Sequence, residues 1–510
     1  MTPPIATLDA VVQREVGDGE AAGADSGPPP EAGELSGRGP GLELVFSVLF
    51  VLAGWWVGIR QLSDNSFFWH LRIGRYMLDH GVPHGDVFSY TAPGIHWVAQ
   101  SWLAELAYGI LDRTVGPLGI RVLIAVTGAA ITLMVYRLAR RLTGDRVRAG
   151  LMSVVAYLAI MVVFSERPLA FGLAFALVVV WIVEVPDARI ARRPLIALPV
   201  VLWFWANVHG SFALGVVYIG LHVLGRWIDG DVPWRGRERD LVVGTLLGLT
   251  VSLANPYGPG LLLFPVQLMG RGKVLSQVVE WQSPNFRSPV GIAFAAWLVV
   301  LVCALALSSH RPTRRDVIVA LPFVLMALWA ERNIGLAVIF TLPVAARAFA
   351  TTRKRPDVRS LVSAIGLVVV VSLLVVSGLA AAAQNADHKD FQVGAYPSES
   401  MTYLSTHGLL GERLFTTDAW AGYDILRFWP QQRVFLDDRY DMYPTELVAE
   451  YTDVADGHAD WKKVLDKYRV QVIVWQPARA LSQLLAESPH WRLVHTDHNA
   501  VVYVRVGSSS

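Results

Sequence analysis

The stretch from Pro117 to Arg148 reads PLGIRVLIAVTGAAITLMVYRLA (117–139) and then RRLTGDRVR (140–148), a mostly apolar run that leads into four arginines. A run of about 20 mostly apolar residues is long enough to cross a lipid bilayer. Short loops rich in lysine and arginine stay on the cytoplasmic side of the membrane. The stretch therefore predicts a membrane-spanning helix that ends in a cytoplasmic loop, and it orients the rest of the chain.

Basic and polar loops alternate along the sequence. The further basic loops contain Arg189 with Arg192 and Arg193, then Arg235, Arg237 and Arg239, then Arg311, Arg314 and Arg315, and finally Arg353, Lys354 and Arg355. The loops between them contain Glu166–Arg167, Asn207–His209, Asn255–Tyr257, Glu280–Trp281 and Glu331–Asn333. Ionisable residues within or beside membrane helices are rare and usually functional. We therefore expect these polar loops to form one site on the outer face.

The composition also indicates a membrane protein, because 53% of the residues are hydrophobic and only 17% are charged. Soluble domains are usually about 25% charged. An odd number of spans, with the basic loops inside, predicts a polytopic α-helical protein of the plasma membrane with its N-terminus inside and its C-terminus outside. We count eleven candidate spans: 42–60, 117–139, 149–164, 168–186, 194–208, 211–229, 241–256, 290–308, 316–331, 333–350 and 360–383.

The predicted organisation has three parts. Residues 1–41, rich in Pro, Gly, Ala and Glu, are expected to form a disordered cytoplasmic tail. The transmembrane domain covers 42–383 and has a large first outer loop, 61–116, in which 98–115 is predicted to be an amphipathic helix along the membrane interface. Residues 384–510 are predicted to form a soluble extracytoplasmic α/β domain. Its expected strands are 432–436, 470–475 and 499–505, and its expected helices lie near 398–407, 419–428, 444–466 and 480–487.

Asp64 is the first candidate for chemistry, because it follows the end of the first span by only a few residues. A carboxylate at that depth would meet the head groups of lipid substrates and could accept a proton from an attacking hydroxyl. Asp64 could also cap the helix that follows it. Capping and catalysis do not exclude each other, so both interpretations remain open.

The first outer loop resembles a known family of enzymes. After Asp64 come Phe68-Trp69-His70-Leu71, Gly74-Arg75, Asp86-Val87-Phe88-Ser89-Tyr90-Thr91 and Trp102-Leu103-Ala104-Glu105. This series resembles the C-type (GT-C) membrane glycosyltransferases that use polyprenyl-phosphate-linked sugars, and Ala254–Gly258 and Glu280–Pro284 are similar to uncharacterised members. The resemblance implies a catalytic acidic residue in the first outer loop, which corresponds to Asp64. Many members have two acidic residues there, whereas Asn65 follows Asp64 here, so the need for a divalent cation stays open.

Three outer-face residues are predicted to hold the phosphate of such a donor: Arg167, His209 and Arg332. Arginine makes two parallel hydrogen bonds to a phosphate, and the imidazole could donate another. For the arginines, the alternative is a salt bridge to a nearby carboxylate. His70, Glu280 and Trp281 are predicted to bind the sugar or the acceptor, although tryptophan is also common at membrane interfaces.

Two runs in the C-terminal part are further candidates for acceptor binding. The first contains Trp420 and Tyr423, and its pattern is distantly similar to the acceptor-reading motif of oligosaccharyltransferases. The second contains Asp437 and Asp438, whose paired carboxylates could bind sugar hydroxyls or a cation. The alternative for this second run is a solvated turn stabilised by Arg439.

The sequence therefore predicts an integral-membrane, inverting glycosyltransferase. It would move a sugar from a polyprenyl-phosphate-linked donor to a glycan or protein acceptor of the cell envelope, with Asp64 as general base. Positive charge lies in loops and not in a patch, so nucleic acid is not an expected partner. The single cysteine, Cys303, excludes an intramolecular disulfide. A transporter or flippase for lipid-linked sugars and a non-catalytic scaffold for envelope assembly remain the alternatives.

Overall fold

The computed structural model describes residues 41–276, 278–308, 312–351 and 361–507. The predicted tail lies outside these ranges apart from residue 41. Arg311, Arg353, Lys354 and Arg355 of the basic loops also lie outside them. The described part of the chain is mostly helical, and its only named strands lie after residue 410.

Within the described ranges, fifteen α-helices precede the C-terminal segment. They are α1 (Leu42–Gly58), α2 (Asn65–His80), α3 (Trp102–Thr114), α4 (Pro117–Thr143), α5 (Arg146–Met161), α6 (Leu169–Glu184), α7 (Pro194–Val208), α8 (Phe212–Ile228), α9 (Gly236–Val251), α10 (Pro259–Met269), α11 (Gly272–Leu275), α12 (Pro289–Leu307), α13 (Arg314–Trp329), α14 (Ile334–Ala348) and α15 (Leu361–Ala386). Each of the eleven predicted spans overlaps one of these helices.

In the part of the chain that the structure describes, three stretches are long and apolar enough to cross a membrane by length and composition: α4, α12 and Ser363–Ala386 of α15. Among the described residues, α1, α6, α7, α8 and α10 are apolar but shorter. These helices support the membrane class. The number of crossings and the orientation of the termini stay predictions.

The loop at 140–148 shows how the sequence sets the helix boundaries. Helix α4 begins at Pro117, where a missing N–H costs nothing, and it ends at Gly144, whose φ of 72° lies in the left-handed region. The carboxylate of Asp145 then accepts hydrogen bonds from the backbone N–H groups of Val147 and Arg148, both at 2.9 Å. Asp145 therefore caps α5, and the basic loop is a tight turn between two helices.

Helices α2 and α3 cross at a contact that requires glycine. A Cβ atom on Gly74 would lie 1.9 Å from the carbonyl oxygen of Glu105, and one on Gly109 would lie 2.5 Å from the backbone of Gly74. The two backbones therefore approach each other as closely as small residues allow. The predicted interfacial helix 98–115 is α3, and the structure places it against α2, α4 and α7.

The C-terminal segment, 387–507, combines short helices with one four-stranded sheet. Its helices are α16 (Ser398–Thr406), α17 (Asp418–Phe428), α18 (Thr445–Ala455), α19 (Trp461–Lys467) and α20 (Ala480–Ala486), and its strands are β1 (Leu414–Thr416), β2 (Val472–Trp475), β3 (Trp491–Thr496) and β4 (Val501–Arg505). The strand order is β1-β2-β4-β3. Strands β1 and β2 are parallel, whereas β4 runs antiparallel to both of its neighbours.

The sequence located this segment only in part. Strands β2 and β4 and the helices near 398–407, 419–428 and 480–487 lie where expected, but the helix expected over 444–466 is two helices. The strand expected over 432–436 is wrong: Val434 makes a single parallel bridge to Ser89, and no named strand includes it. Strands β1 and β3 were not anticipated. Most side chains of β3 are at least partly exposed, and β1 has only three residues, so neither has a clear alternation.

The C-terminal segment shares its hydrophobic core with the first outer loop. Trp69, Ile73 and Trp97 belong to the same buried cluster as Phe415 and Phe435. A second contact joins α17 to the start of α2, where the backbone N–H of Gly422 donates to the side-chain oxygen of Asn65 at 3.0 Å. The two regions therefore form one packed unit.

The two ends of the helix bundle differ in character. At one end the basic loops meet: Arg148 donates to the carbonyl oxygen of Phe349 at 2.9 Å, and Arg347 pairs with Asp316 at 2.8 Å. At the other end the polar loops meet, as in the hydrogen bond from Trp102 to Asn207 at 2.7 Å. The C-terminal segment covers this polar end.

Candidate functional site

A cavity of about 460 Å³ lies between the polar helix ends, α2 and the C-terminal segment. Its wall contains seven of the eleven predicted site residues: His70, Arg167, His209, Glu280, Trp281, Arg332 and Asp438. The polar residues that the sequence did not single out as site residues are Asn65, Ser66, Gln100, Ser101, Glu105, Asp418, Arg439, Tyr440 and Asp441.

Arg332 offers the cavity a cation. Its guanidinium carbon lies 4.4 Å from the ring centre of Trp281, so the two groups stack. Within the described part of the chain, Arg332 has no ion pair and no side-chain hydrogen bond. Burial lowers the pKa of Arg332, and the nearby Glu280 opposes that shift. An arginine stays charged in a protein, so this group suits an anionic ligand.

His209 offers a neutral donor. The residue follows α7, and its Nδ1 accepts a hydrogen bond from the backbone N–H of Ser211 at 3.1 Å. Burial, and next the charge of Arg332, lower the pKa of His209 to about 3. Since Nδ1 accepts, the proton of the neutral ring is on Nε2. The imidazole can therefore donate one hydrogen bond to a ligand at neutral pH.

Arg167 joins two acidic residues. Its Nε donates to both carboxylate oxygens of Asp64, at 2.8 and 2.9 Å, and its Nη1 donates to Glu280 at 2.6 Å. Arg167 thus makes the salt bridges that we considered as the alternative to phosphate binding. Both carboxylate partners of Arg167 come from other loops. Its neighbour in the chain, Glu166, instead accepts a hydrogen bond from the backbone N–H of Asp64 at 2.9 Å.

Asp64 lies behind this arginine. Its carboxylate also accepts a hydrogen bond from the backbone N–H of Phe67 at 3.1 Å, so it caps α2 as expected. Asp64 does not line the cavity; it lines a smaller one of about 270 Å³ together with Glu166. We expected Asp64 to lie beside the phosphate-binding residues on one wall of the cavity. In the structure, the side chain of Arg167 lies between Asp64 and the cavity.

Asp438 is one of several carboxylates that line the main cavity. Its oxygens accept hydrogen bonds from three side chains of α2: Trp69 at 2.6 Å, Asn65 at 3.1 Å, and the hydroxyl of Ser66. Burial raises the pKa of Asp438 to about 7, against the opposing charge of Arg167. A carboxylate with a pKa near the working pH suits general base catalysis.

His70 and Glu105 form a buried pair on the same wall, with 2.7 Å between Nδ1 and Oε1. Burial raises the pKa of Glu105 well above its ordinary range and lowers the pKa of His70 well below its own. Burial therefore favours the neutral form of both groups. The second oxygen of Glu105 is buried and has no hydrogen-bond partner among the described residues, so it can bind a ligand hydroxyl.

Asp437 and Asp438 do not act as a pair. The Asp437 carboxylate turns away from the cavity and accepts from Arg439 at 2.6 and 2.8 Å and from the hydroxyl of Tyr443 at 3.0 Å. Arg439 is fully buried and also pairs with Asp86 at 2.7 Å. The turn is stabilised by Arg439, but it is buried and not solvated.

The remaining predicted residues lie elsewhere. Trp420 and Tyr423 belong to a buried cluster with Phe68, and the Trp420 indole donates to the carbonyl oxygen of Ala395 at 3.2 Å. Neither lines the cavity. No group of three or more His, Cys, Asp or Glu side chains in the described ranges could hold a metal ion.

The sequence missed Glu105, Asp418 and Asp441 as cavity residues. Burial raises the pKa of Asp441 to about 6, and Asp418 accepts from the hydroxyl of Tyr440 at 2.8 Å. Glu105 closes the Trp-Leu-Ala-Glu motif of the first loop, so the motif pointed to it. Asp418 and Asp441 carried no such signal, because only the packing of the C-terminal segment brings them to the cavity.

Similarity to known proteins was found among solved structures. No family model and no curated protein matches the chain. Among solved structures, the chain is similar to the crystal structure of ArnT from Cupriavidus metallidurans in the apo state, with 14% sequence identity and a TM-score of 0.44. The similarity covers 91% of this chain and 98% of that one. So loose a similarity assigns no activity to this protein.

Proposed function

We propose that the protein is an integral-membrane glycosyltransferase that moves a sugar from a polyprenyl-phosphate-linked donor to an extracytoplasmic acceptor. The observation that carries the proposal is the wall of the main cavity. It combines an unpaired cation, Arg332, a neutral imidazole donor, His209, and a carboxylate poised near pH 7, Asp438. A group transfer from a phosphate needs such an anion site and such a base.

The donor phosphate would bind at Arg332 and His209. A guanidinium stacked on an indole keeps its N–H edge available, so it can form two hydrogen bonds to one phosphate. Arg167 contributes less, because Asp64 and Glu280 already neutralise it. We therefore propose that Arg167 is a positioning residue, which holds Glu280 at the cavity wall. Arg332 and His209 would then bind the phosphate.

Asp438 would act as the general base in place of Asp64. An acceptor hydroxyl transfers its proton to the Asp438 carboxylate, and its oxygen attacks the anomeric carbon. The bond from that carbon to the phosphate oxygen breaks, the configuration inverts, and the polyprenyl phosphate leaves with the negative charge. Arg332 and His209 stabilise that charge as it develops. Glu105 and His70 would hold hydroxyls of the sugar.

Sidedness is part of the proposal. The basic loops gather at one end of the bundle and the cavity opens at the other. If the basic end is cytoplasmic, the cavity faces outward, and the C-terminal segment is extracytoplasmic. A lipid-linked donor then supplies the activated bond in a compartment where nucleotide sugars are scarce.

The test is transfer by the purified protein in liposomes. Wild-type protein, Asp438→Asn and Arg287→Gln are incubated with radiolabelled polyprenyl-phosphate sugars and an envelope extract as acceptor. Arg287 is exposed and does not line the cavity, so its variant is the matched control. We expect transfer by the wild type and the control and none by Asp438→Asn. Movement of labelled lipid across the bilayer without transfer would instead indicate a carrier.

A further inference from the structure

A second cavity lies at the opposite, basic end of the helix bundle. It has a volume of about 700 Å³ and is bordered by the start of α1, the end of α4, the start of α5 and by α6. Its lining residues are Glu43, Leu133, Met134, Arg137, Arg140, Arg141, Gly144, Asp145, Arg146 and Trp181. It shares no residue with the candidate active site.

Arginines make up most of the charged lining of this second cavity, which contains four arginines and two carboxylates. One of those carboxylates, Asp145, is already used as the cap of α5. The other, Glu43, is half-exposed and lies 3.5 Å from Arg140, which makes a weak pair. Arg137 donates only to the hydroxyl of Ser47, at 3.3 Å. Arg141 pairs with Asp187, which lies outside the cavity lining. Arg137 and Arg140 are therefore the two arginines on which the binding of an anion at this cavity would depend.

Two buried donors lack partners at the same place. The Nε of Arg140 and the indole nitrogen of Trp181 are buried and have no hydrogen-bond partner in the described part of the chain. A buried donor without a hydrogen-bond partner destabilises the folded protein. Arg140 and Trp181 both line the cavity, so an acceptor bound there would lie beside these donors. Phosphate oxygens are such acceptors, and arginine binds them well.

We infer that this cavity binds the phosphate of an anionic phospholipid head group. Leu133, Met134 and the Trp181 ring give the cavity an apolar wall beside its arginines, which suits a glycerolipid better than a free ion. Basic pockets between membrane helices on the cytoplasmic side are suited to anionic lipids. The cavity lies on that side in the orientation proposed above, but its charge and its unpaired donors do not depend on the orientation.

The experiment measures lipid binding to the full-length protein in detergent micelles. Phosphatidylglycerol, phosphatidylcholine and inorganic phosphate are titrated separately, and binding is followed by native mass spectrometry and by thermal unfolding. We expect phosphatidylglycerol to bind and to raise the unfolding temperature, with little effect of the other two. Arg137→Gln/Arg140→Gln should bind phosphatidylglycerol about thirtyfold more weakly, since each arginine near a charged surface contributes about 1 kcal/mol.

The matched control is Arg235→Gln/Arg239→Gln. It removes the same charge from another basic loop, and neither residue lines the cavity. We expect this variant to bind phosphatidylglycerol as the wild type does. Trp181→Phe, which keeps an aromatic ring and removes only the indole N–H, should weaken binding about fivefold. Equal losses in the two double variants would overturn the assignment, because the effect would then be one of net charge. Stabilisation by inorganic phosphate that phosphatidylglycerol cannot displace would overturn the lipid as ligand.

Discussion

The guanidinium of Arg167 lies between the candidate cavity and Asp64, and its Nε donates to both oxygens of the Asp64 carboxylate at 2.8 and 2.9 Å. A carboxylate in this position cannot reach an acceptor hydroxyl in the cavity unless the arginine moves. It can, however, fix the arginine and the first turn of α2 at the same time. This relationship separates the two acidic residues, Asp64 and Asp438, that compete for the role of base.

Asp438→Asn should lower the rate of sugar transfer at least about 100-fold, which is the usual contribution of a general base. The pKa of Asp438 is raised to about 7, and the base must be ionised. The wild-type rate should therefore rise as the pH increases through about 7, and this rise should be absent from the residual rate of the variant. The measurement is the initial rate of transfer from pH 5.5 to 8.5.

Asp64→Asn should behave differently. It removes a charge from the partner of Arg167 and keeps a side chain that can cap α2, so we expect a loss of about tenfold with the rise near pH 7 preserved. Circular dichroism checks that both variants are folded. If Asp64→Asn abolishes the pH dependence while Asp438→Asn keeps it, the roles of the two residues are the reverse of our assignment.

Arg332→Gln should raise the KM for the lipid-linked donor about 10- to 100-fold, because a charge-assisted hydrogen bond contributes about 1.5–3 kcal/mol. Arg332→Lys should recover part of the loss, since it restores the charge but not the flat, two-pronged donor. Steady-state kinetics with varied donor measure the effect. A KM unchanged in Arg332→Gln would place the phosphate elsewhere in the cavity.

Gly74→Ala should destabilise the crossing of α2 and α3. The new methyl group would lie 1.9 Å from the carbonyl oxygen of Glu105, so the helices must separate at a cost of about 1–3 kcal/mol. Gly260→Ala is the matched control, because its added carbon has no neighbour within 4 Å and alanine favours the helix. Thermal unfolding in detergent should show a lower midpoint only for Gly74→Ala.

Glu105→Gln should change the way stability depends on pH. The pKa of Glu105 is raised in the folded state, so above pH 4.5 the unfolded chain releases a proton that the folded protein keeps, and stability falls as pH rises. The lowered pKa of His70 acts in the opposite direction, but only below pH 6.5. As the pH rises above 4.5, the wild type should therefore lose more stability than Glu105→Gln, which cannot release a proton at this position. Parallel unfolding curves for the two proteins would show that Glu105 is ionised.

Periodicity and charge were sufficient for the helices and insufficient for the C-terminal segment. An apolar run such as 117–139 carries its own signal, because the bilayer requires about 20 apolar residues in one piece. The strand expected at 432–436 has the right residues, yet Val434 only bridges to Ser89 of the first loop. The apolar side chains of 432–436 are buried against α2 and α17. A hydrophobic core that is shared between regions distant in the sequence leaves no local pattern from which it could be predicted.

The same limit applies to the site. Arg167, His209, Glu280 and Arg332 were found because each marks a polar loop between apolar spans, and the structure places them around one cavity. Their individual roles were harder to assign: whether an arginine is free or paired depends on which loops meet. The sequence favoured Asp64 as the carboxylate at the cavity, whereas the structure places Asp438 there. The side of Arg167 on which a carboxylate lies depends on tertiary packing, which the sequence pattern does not report.

The shared core of the first loop and the C-terminal segment has a consequence for biosynthesis. Trp69 and Ile73 are synthesised early. Their partners in the core, Phe415 and Phe435, are synthesised more than 300 residues later. Until the last strands arrive, the wall that holds Asp438 does not exist. A nascent or prematurely terminated chain would therefore lack this wall of the candidate site, and translation of the final quarter would complete it.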